Sequence, residues 1–161
     1  KRAEYERQIA RQIVGLNDMT ANELIHNMDN VTREGTAHSE AGEAFRTVLM
    51  EEELADAPRL RRTDPDALGG LTPKEFASRR VDQAMALLAA LHEPDLVAGG
   101  QDVIPKGPDG RPSMGDRYVN SSIGSQWRHR VSALRAYADH MVATGHGDER
   151  LNVRWTLSAR R

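Results

Sequence analysis

Cysteine is absent from the 161 residues, which removes a disulfide framework, a thiolate zinc site and a cysteine nucleophile together. Aromatic residues make up only 4%, so a core must be built from Leu, Val, Ile, Met and Ala. No apolar run approaches the roughly 20 residues that a membrane-spanning helix needs. No basic, apolar leader ending in small residues is visible, so no signal peptide is expected. There is no phosphate-binding P-loop and no dinucleotide fingerprint. Ser121 and Ser122 lack the strand–turn–helix glycine elbow of a serine hydrolase. An excess of positive charge is lacking too: 22 Lys and Arg against 24 Asp and Glu leave a formal net charge of −2. As a sum, that argues against a nucleic-acid binder.

What is present describes one ordinary globular domain. Apolar residues reach 39% and charged residues 29%, enough to bury a core. The charge is unevenly spread. Residues 1–110 hold 13 Lys and Arg against 20 Asp and Glu, a balance of −7, whereas residues 111–161 hold 9 against 4, a balance of +5. Local field, not net charge, steers encounters. The first residue is Lys1, not Met, which leads to the expectation of a piece cut from a longer protein.

The periodicity reads as mainly α, a single compact helical domain over 1–161 with a minor β element, a short C-terminal strand or hairpin. Tyr5, Ile9, Ile13 and Leu16 form an amphipathic stripe with Gly15 near its end. Thr20 and Glu23 have capping-box spacing and open a short helix to about Met28. Ser39 is placed to cap a third helix carrying Ala44, Val48, Leu49 and Leu54, with Glu51 to Glu53 as a solvated face or a partner contact. Residues 63–71 form a loop by composition. Thr72, Pro73 and Glu75 open a helix running through Val81, Met85, Leu88 and Leu91 to about His92, before Pro94. Residues 99–117 are rich in turn formers. Asn120 or Ser121 then caps a long helix with Ile123, Trp127, Val131, Leu134, Ala138 and Met141 on one face, stopped by Gly145 and Gly147. Leu151, Val153, Trp155 and Leu157 alternate like a terminal strand, pairing with a strand in 101–119.

Two segments carry candidate chemistry. In HEPDLVAGGQD, His92 and Asp95 stand three apart. A carboxylate near an imidazole fixes its tautomer and raises its basicity, as a general base requires. The pair would equally serve a divalent cation, or simply cap a helix end. Gly99 and Gly100 permit a tight turn that delivers Asp102 back toward the pair. In GDRYVNSSIGSQWRHR, Asp116 and Asn120 lie at a helix start, where open N–H groups attract phosphate. Ser121, Ser122 and Ser125 add hydroxyls, Gly124 allows close approach, and Arg128, Arg130 and Arg135 extend positive charge. An ordinary capped helix with solvated arginines accounts for the same residues, and Trp127 fits a core better than a stacking platform. His26, His38, His129, His140 and His146 show no mutual zinc-site spacing.

In order and spacing, YERQIARQIVGLNDMTANELIHN, HEPDLVAGGQD, and GDRYVNSSIGSQW followed by Arg130 and Leu134 resemble one family of bacterial polymorphic-toxin nuclease domains. It is the HxxD family catalogued as novel toxin fifteen, which includes type VI secretion DNase effectors. Gln8, Gln12, Gly15, Leu16, Asn17 and Thr20 fit the family's opening segment. The resemblance implies an endonuclease domain at the C-terminus of a secreted effector, hydrolysing DNA in the cytoplasm of a target bacterium. It implies a divalent metal, magnesium, as cofactor, with no small-molecule cofactor and no membrane span. It also implies a cognate immunity protein, expected to be small, acidic and seated over the 92–130 surface. The family's essential pair falls on His92 and Asp95 as catalytic residues. Asp95, Asp102 and Asp116 are the candidate metal ligands, and Asn120, Ser121, Arg128 and Arg130 the candidate substrate contacts. In one assignment His92 is a general base toward water, in a competing one a metal ligand. An RNase toxin using the same pair and a non-enzymatic helical module of a secretion system are the other readings.

Overall fold

The computed structural model describes residues 1–32 and 35–156. Five helices and one small sheet follow in the order α1 (Arg2–Asn17), α2 (Ala21–Asp29), α3 (Ala37–Thr63), α4 (Pro73–Leu87), β1 (Leu88–Ala90), β2 (Met114–Asp116) and α5 (Arg117–Ala143). A single 3-10 turn, Leu96–Ala98, lies between the strands. The protein is mainly α, as the periodicity predicts.

The core is built by α1, α2 and α5. Leu16, Leu24 and Ile123 are fully buried there, with Trp127, Leu134, Ala138, Met141, Ala98 and Leu151 packed around them. The local signals explain the boundaries. Thr20 Oγ1 accepts from Glu23 N while Thr20 N donates to Glu23 Oε2, the reciprocal box that starts α2. Thr72 and Glu75 repeat it at α4, with Pro73 at the first helical position. Gly145 ends α5 with φ 84°.

Helices α3 and α4 form an antiparallel hairpin, tied by Arg46–Asp82 at 2.7 Å and Arg80–Glu53 at 2.9 Å. The α3 helix starts at Ala37, two residues before Ser39, whose hydroxyl donates to Thr36 O instead. It runs on through Pro58. Packing on α4 holds it across that break, since the proline removes one backbone donor. The stripe expected through Ala44 and Leu54 is not a core face: only Ala41 and Ala57 of α3 are buried, and Leu54 is 38% exposed.

Three further expectations are corrected. The helix through Val81 stops at Leu87, and Leu88–Ala90 is a strand, antiparallel to Met114–Asp116 with Ala89 opposite Gly115. Among the described residues the β element therefore lies between these segments and not in 151–156. Those residues are extended but outside any ladder, held by Asn17, which bonds both Val153 N and Val153 O. Leu157 lies outside the described residues. Finally, α5 is capped by Asp116 rather than Asn120 or Ser121; its Oδ1 accepts from Tyr118 N and Val119 N.

Candidate active site

β1 delivers the chain into the core, and His92 follows two residues after its end. The loop that carries it is held from α1. Gln12, 2% exposed, donates from Nε2 to His92 O at 2.8 Å and accepts from Asp95 N at 2.6 Å. One side chain thus fixes the backbone at both ends of the His92–Asp95 interval. Gly15 makes room for the same loop, because a Cβ there would meet Glu93 O at 2.5 Å. Glu93 is in turn held by Arg11 at 3.1 Å and by the buried Ser113 hydroxyl at 2.6 Å.

The turn through Gly99 and Gly100 brings Asp102 back onto His92, whose Nε2 lies 2.8 Å from Asp102 Oδ1. Both groups are buried, their side chains 8% and 9% exposed. Asp102 Oδ2 accepts from Gly35 N at 3.1 Å. On the opposite edge of the imidazole, His38 Nε2 stands 3.1 Å from His92 Nδ1, with the ring centroids 4.6 Å apart. A polar cleft of about 370 Å³ opens beside Asp102, lined by His26, Asn27, Asn30, Thr32 and Gln101.

Asp95 takes a different place from the one its spacing suggests. No hydrogen bond joins it to His92 among the described residues. Its Oδ1 caps the 3-10 turn by accepting from Val97 N at 3.0 Å. Its Oδ2 lies against α5 where Gly124 supplies no side chain; a Cβ there would sit 3.2 Å away. The carboxylate partner of His92 is Asp102.

Gly124 orders the α5 candidates. Asn120 and Ser121 lie one turn before it and Arg128 one turn after it on the same side of the helix. The three therefore flank Asp95. Asn120 is half-buried, while Ser121 and Arg128 are exposed. Arg130 faces elsewhere: its guanidinium stacks 4.1 Å from the Trp155 ring and bonds Gln126 at 3.3 Å. Arg135 is committed to Asp29 and Asp139. Asp116 sits eight residues before Gly124, about 12 Å along the axis, with its carboxylate used as the cap. Asp95, Asp102 and Asp116 thus do not form one centre. Among the described residues no three His, Asp or Glu side chains gather as a metal cage.

Sequence reasoning missed His38, which it set aside for want of a metal-ligand spacing. It is 54 residues from His92, and no periodicity relates the two. Gln12 stood out only through resemblance, although a glutamine on the buried stripe of α1 is itself a signal that some backbone needs it.

No helix among the described residues is long and apolar enough to cross a membrane. No curated protein matches the chain. The family model described as Novel toxin 15 matches residues 1–156. That match spans every element above, from α1 to the extended segment after α5, and the chain belongs to the Novel toxin 15 family.

Proposed function

We propose that this toxin domain is a DNase that hydrolyses phosphodiester bonds in a target bacterium, after delivery as the C-terminal part of a type VI effector. The observation that carries the reading is the buried imidazole of His92, held on one edge by the Asp102 carboxylate, in a chain of the Novel toxin 15 family. An imidazole with one nitrogen engaged by a carboxylate is oriented and made more basic on the other. His92 is the general base toward the attacking water, and Asp102 is its orienting carboxylate. Asn120, Ser121 and Arg128, on the face of α5 that meets Asp95, are placed to hold the phosphate. Arg130 stands one step removed, on Trp155.

Magnesium is the proposed cofactor. It keeps most of its water and takes one or two carboxylates plus phosphate oxygens, so it does not require a full protein cage. Asp95 fits that demand, with one oxygen on Val97 N and the other facing a glycine. Bound there, the ion would stabilise charge on the scissile phosphate. The partner of the toxin in the producing cell is an immunity protein, proposed to be acidic and to occlude the 92–130 surface.

The purified chain, its His92→Ala variant and a chelator-treated sample are incubated with plasmid and with tRNA. Plasmid degradation by the wild type, lost on His92→Ala and in excess chelator, is expected. Wild-type activity in His92→Ala would falsify the catalytic assignment. Activity that survives chelation removes magnesium, and cleavage of tRNA alone makes the toxin an RNase.

A further inference from the structure

The extended segment 151–156 and α5 enclose another pocket, of about 320 Å³, at the lower end of the range of small-ligand sites. Its outer wall is fixed in place. Leu151 N donates to Met19 O at 3.0 Å, and Asn17 bonds Val153 O at 3.0 Å and Val153 N at 2.7 Å. The chain has two Trp, three Tyr and two Phe. Both Trp and one Tyr meet here, since Trp127, Trp155 and Tyr137 line the pocket. The buried Trp127 sets the Trp155 ring edge-on, with centroids 5.0 Å apart. Tyr137 Oη accepts from Asn152 N at 3.4 Å. The charge is of one sign: Arg130 and Arg154 line the pocket, with no Asp or Glu among the described residues there. Neither arginine makes an ion pair among the described residues, and the Arg130 guanidinium stands 4.1 Å from the Trp155 ring centre.

We propose that this pocket is a single-strand subsite: it holds one unpaired nucleobase against the aromatic rings, with Arg130 and Arg154 on the neighbouring phosphates. The choice of DNA as the strand rests on the nuclease reading above. Aromatic faces and guanidinium planes stack on any base, and the positive charge follows the backbone. An acidic protein segment would use the arginines and leave the rings idle; an apolar one would do the reverse. A nucleotide uses both. Arg130 lies six residues beyond Gly124, about 9 Å along α5, a short reach for a strand whose phosphate is held beside Asp95. A base paired in a duplex must first be unstacked to reach the pocket. The subsite therefore selects single strands, nicks and frayed ends over intact duplex.

The test uses the His92→Ala protein as parent and adds Trp155→Ala, Trp155→Phe or Arg154→Ala. Fluorescence anisotropy follows binding of labelled oligo-dT, of an abasic strand of the same length and of oligo-U, with oligoglutamate as competitor. Trp155→Ala is expected to weaken oligo-dT binding by about 5- to 150-fold, and Trp155→Phe to retain most of it. The abasic strand is expected to bind more weakly than oligo-dT and to ignore Trp155→Ala. Arg154→Ala, an exposed substitution, is expected to make the salt slope for oligo-dT shallower by about 0.7 at an unchanged thermal midpoint. Equal binding of the abasic strand and oligo-dT by the parent overturns the proposal, and that comparison needs no substitution at the packed Trp155. Oligo-dT binding untouched by a folded Trp155→Ala protein overturns it too. Tighter binding of oligo-U overturns the choice of DNA. Displacement of oligo-dT by oligoglutamate as readily as by unlabelled oligo-dT makes the pocket a dock for an acidic protein and overturns the base subsite. Plasmid cleavage by the wild type separates the two readings: cleavage without base-dependent binding sinks the subsite alone, and base-dependent binding by a chain that cleaves nothing sinks the nuclease alone.

Discussion

Gln12 shows how one side chain converts a core position into a functional one. It sits on the buried stripe of α1 and satisfies the His92 carbonyl and the Asp95 amide together. Replacing it with Leu keeps the volume but leaves two backbone groups unpaired. Each such group costs about 1–3 kcal/mol, so Gln12→Leu is expected to lower the thermal midpoint by roughly 4–24 °C. Plasmid cleavage should fall further than stability, because the loop that aims His92 loses both tethers. A midpoint and a cleavage rate within error of the wild type would refute the clamp. At this scale the sequence was partly legible. The spacing of His92 and Asp95, and the glycine turn that returns Asp102, were visible locally. The exchange of roles between Asp95 and Asp102 was not, because Val97 N and Gly124 become neighbours of Asp95 only after the 3-10 turn packs on α5. The approach of His38 depends on where α3 begins, which its weak cap at Thr36 does not announce.

Elements were legible where a cap or a long stripe named them. The boxes at Thr20 and Thr72 marked the starts of α2 and α4 within one residue. Leu88 and Leu91 continued the helical spacing of Val81 and Met85, so the change to β1 was hidden; a strand of three residues shows no alternation. Its identity comes from pairing with Met114–Asp116, a tertiary event. That junction rests on Glu4 of α1. Its Oε1 accepts from Arg7, from Gln8 at 2.7 Å and from Asp116 N at 3.1 Å, where β2 hands over to α5. The Arg7 hydrogen bond first, then those of Gln8 and Asp116, hold the Glu4 carboxyl at about 2, below its ordinary 4.5, against the opposing effect of burial. A folded value below the unfolded one favours the charged form in the fold. Its contribution is therefore complete above the unfolded value and disappears as pH falls through the folded one. Between about pH 4.5 and 2, Glu4→Gln is expected to flatten the loss of stability seen in the wild type, after a lower plateau at neutral pH. Urea unfolding across that range measures it. Parallel acid limbs for the two proteins would show that Glu4 carries no linkage.

At the scale of the whole molecule, the −7 and +5 segments of the sequence are not two faces of free charge. Arg111 pairs with Glu52, Arg135 with Asp29 and Arg150 with Asp18, so part of the basic segment is neutralised by acids from residues 1–110, and Arg135 also pairs with Asp139 of its own segment. Arg117 is spent on Ala86 O and Arg130 on Trp155 and Gln126. Arg128 makes no ion pair or side-chain hydrogen bond among the described residues, and it stands one turn from the Asp95 contact. Its guanidinium is thus the charge that α5 offers to a phosphate beside Asp95. Each phosphate neutralised contributes about −0.9 to the slope of log affinity against log salt. Without magnesium, duplex binding by the inactive His92→Ala protein is therefore expected to show a shallow slope, about −1 to −2. Arg128→Ala in that background should make it shallower by about 1, whereas Arg135→Ala should leave the slope in place and lower the thermal midpoint instead. Fluorescence anisotropy over a potassium chloride series reads all three. A steep slope that Arg128→Ala leaves untouched would mean that DNA meets another face, and the placement of substrate along α5 beside Asp95 would have to be given up.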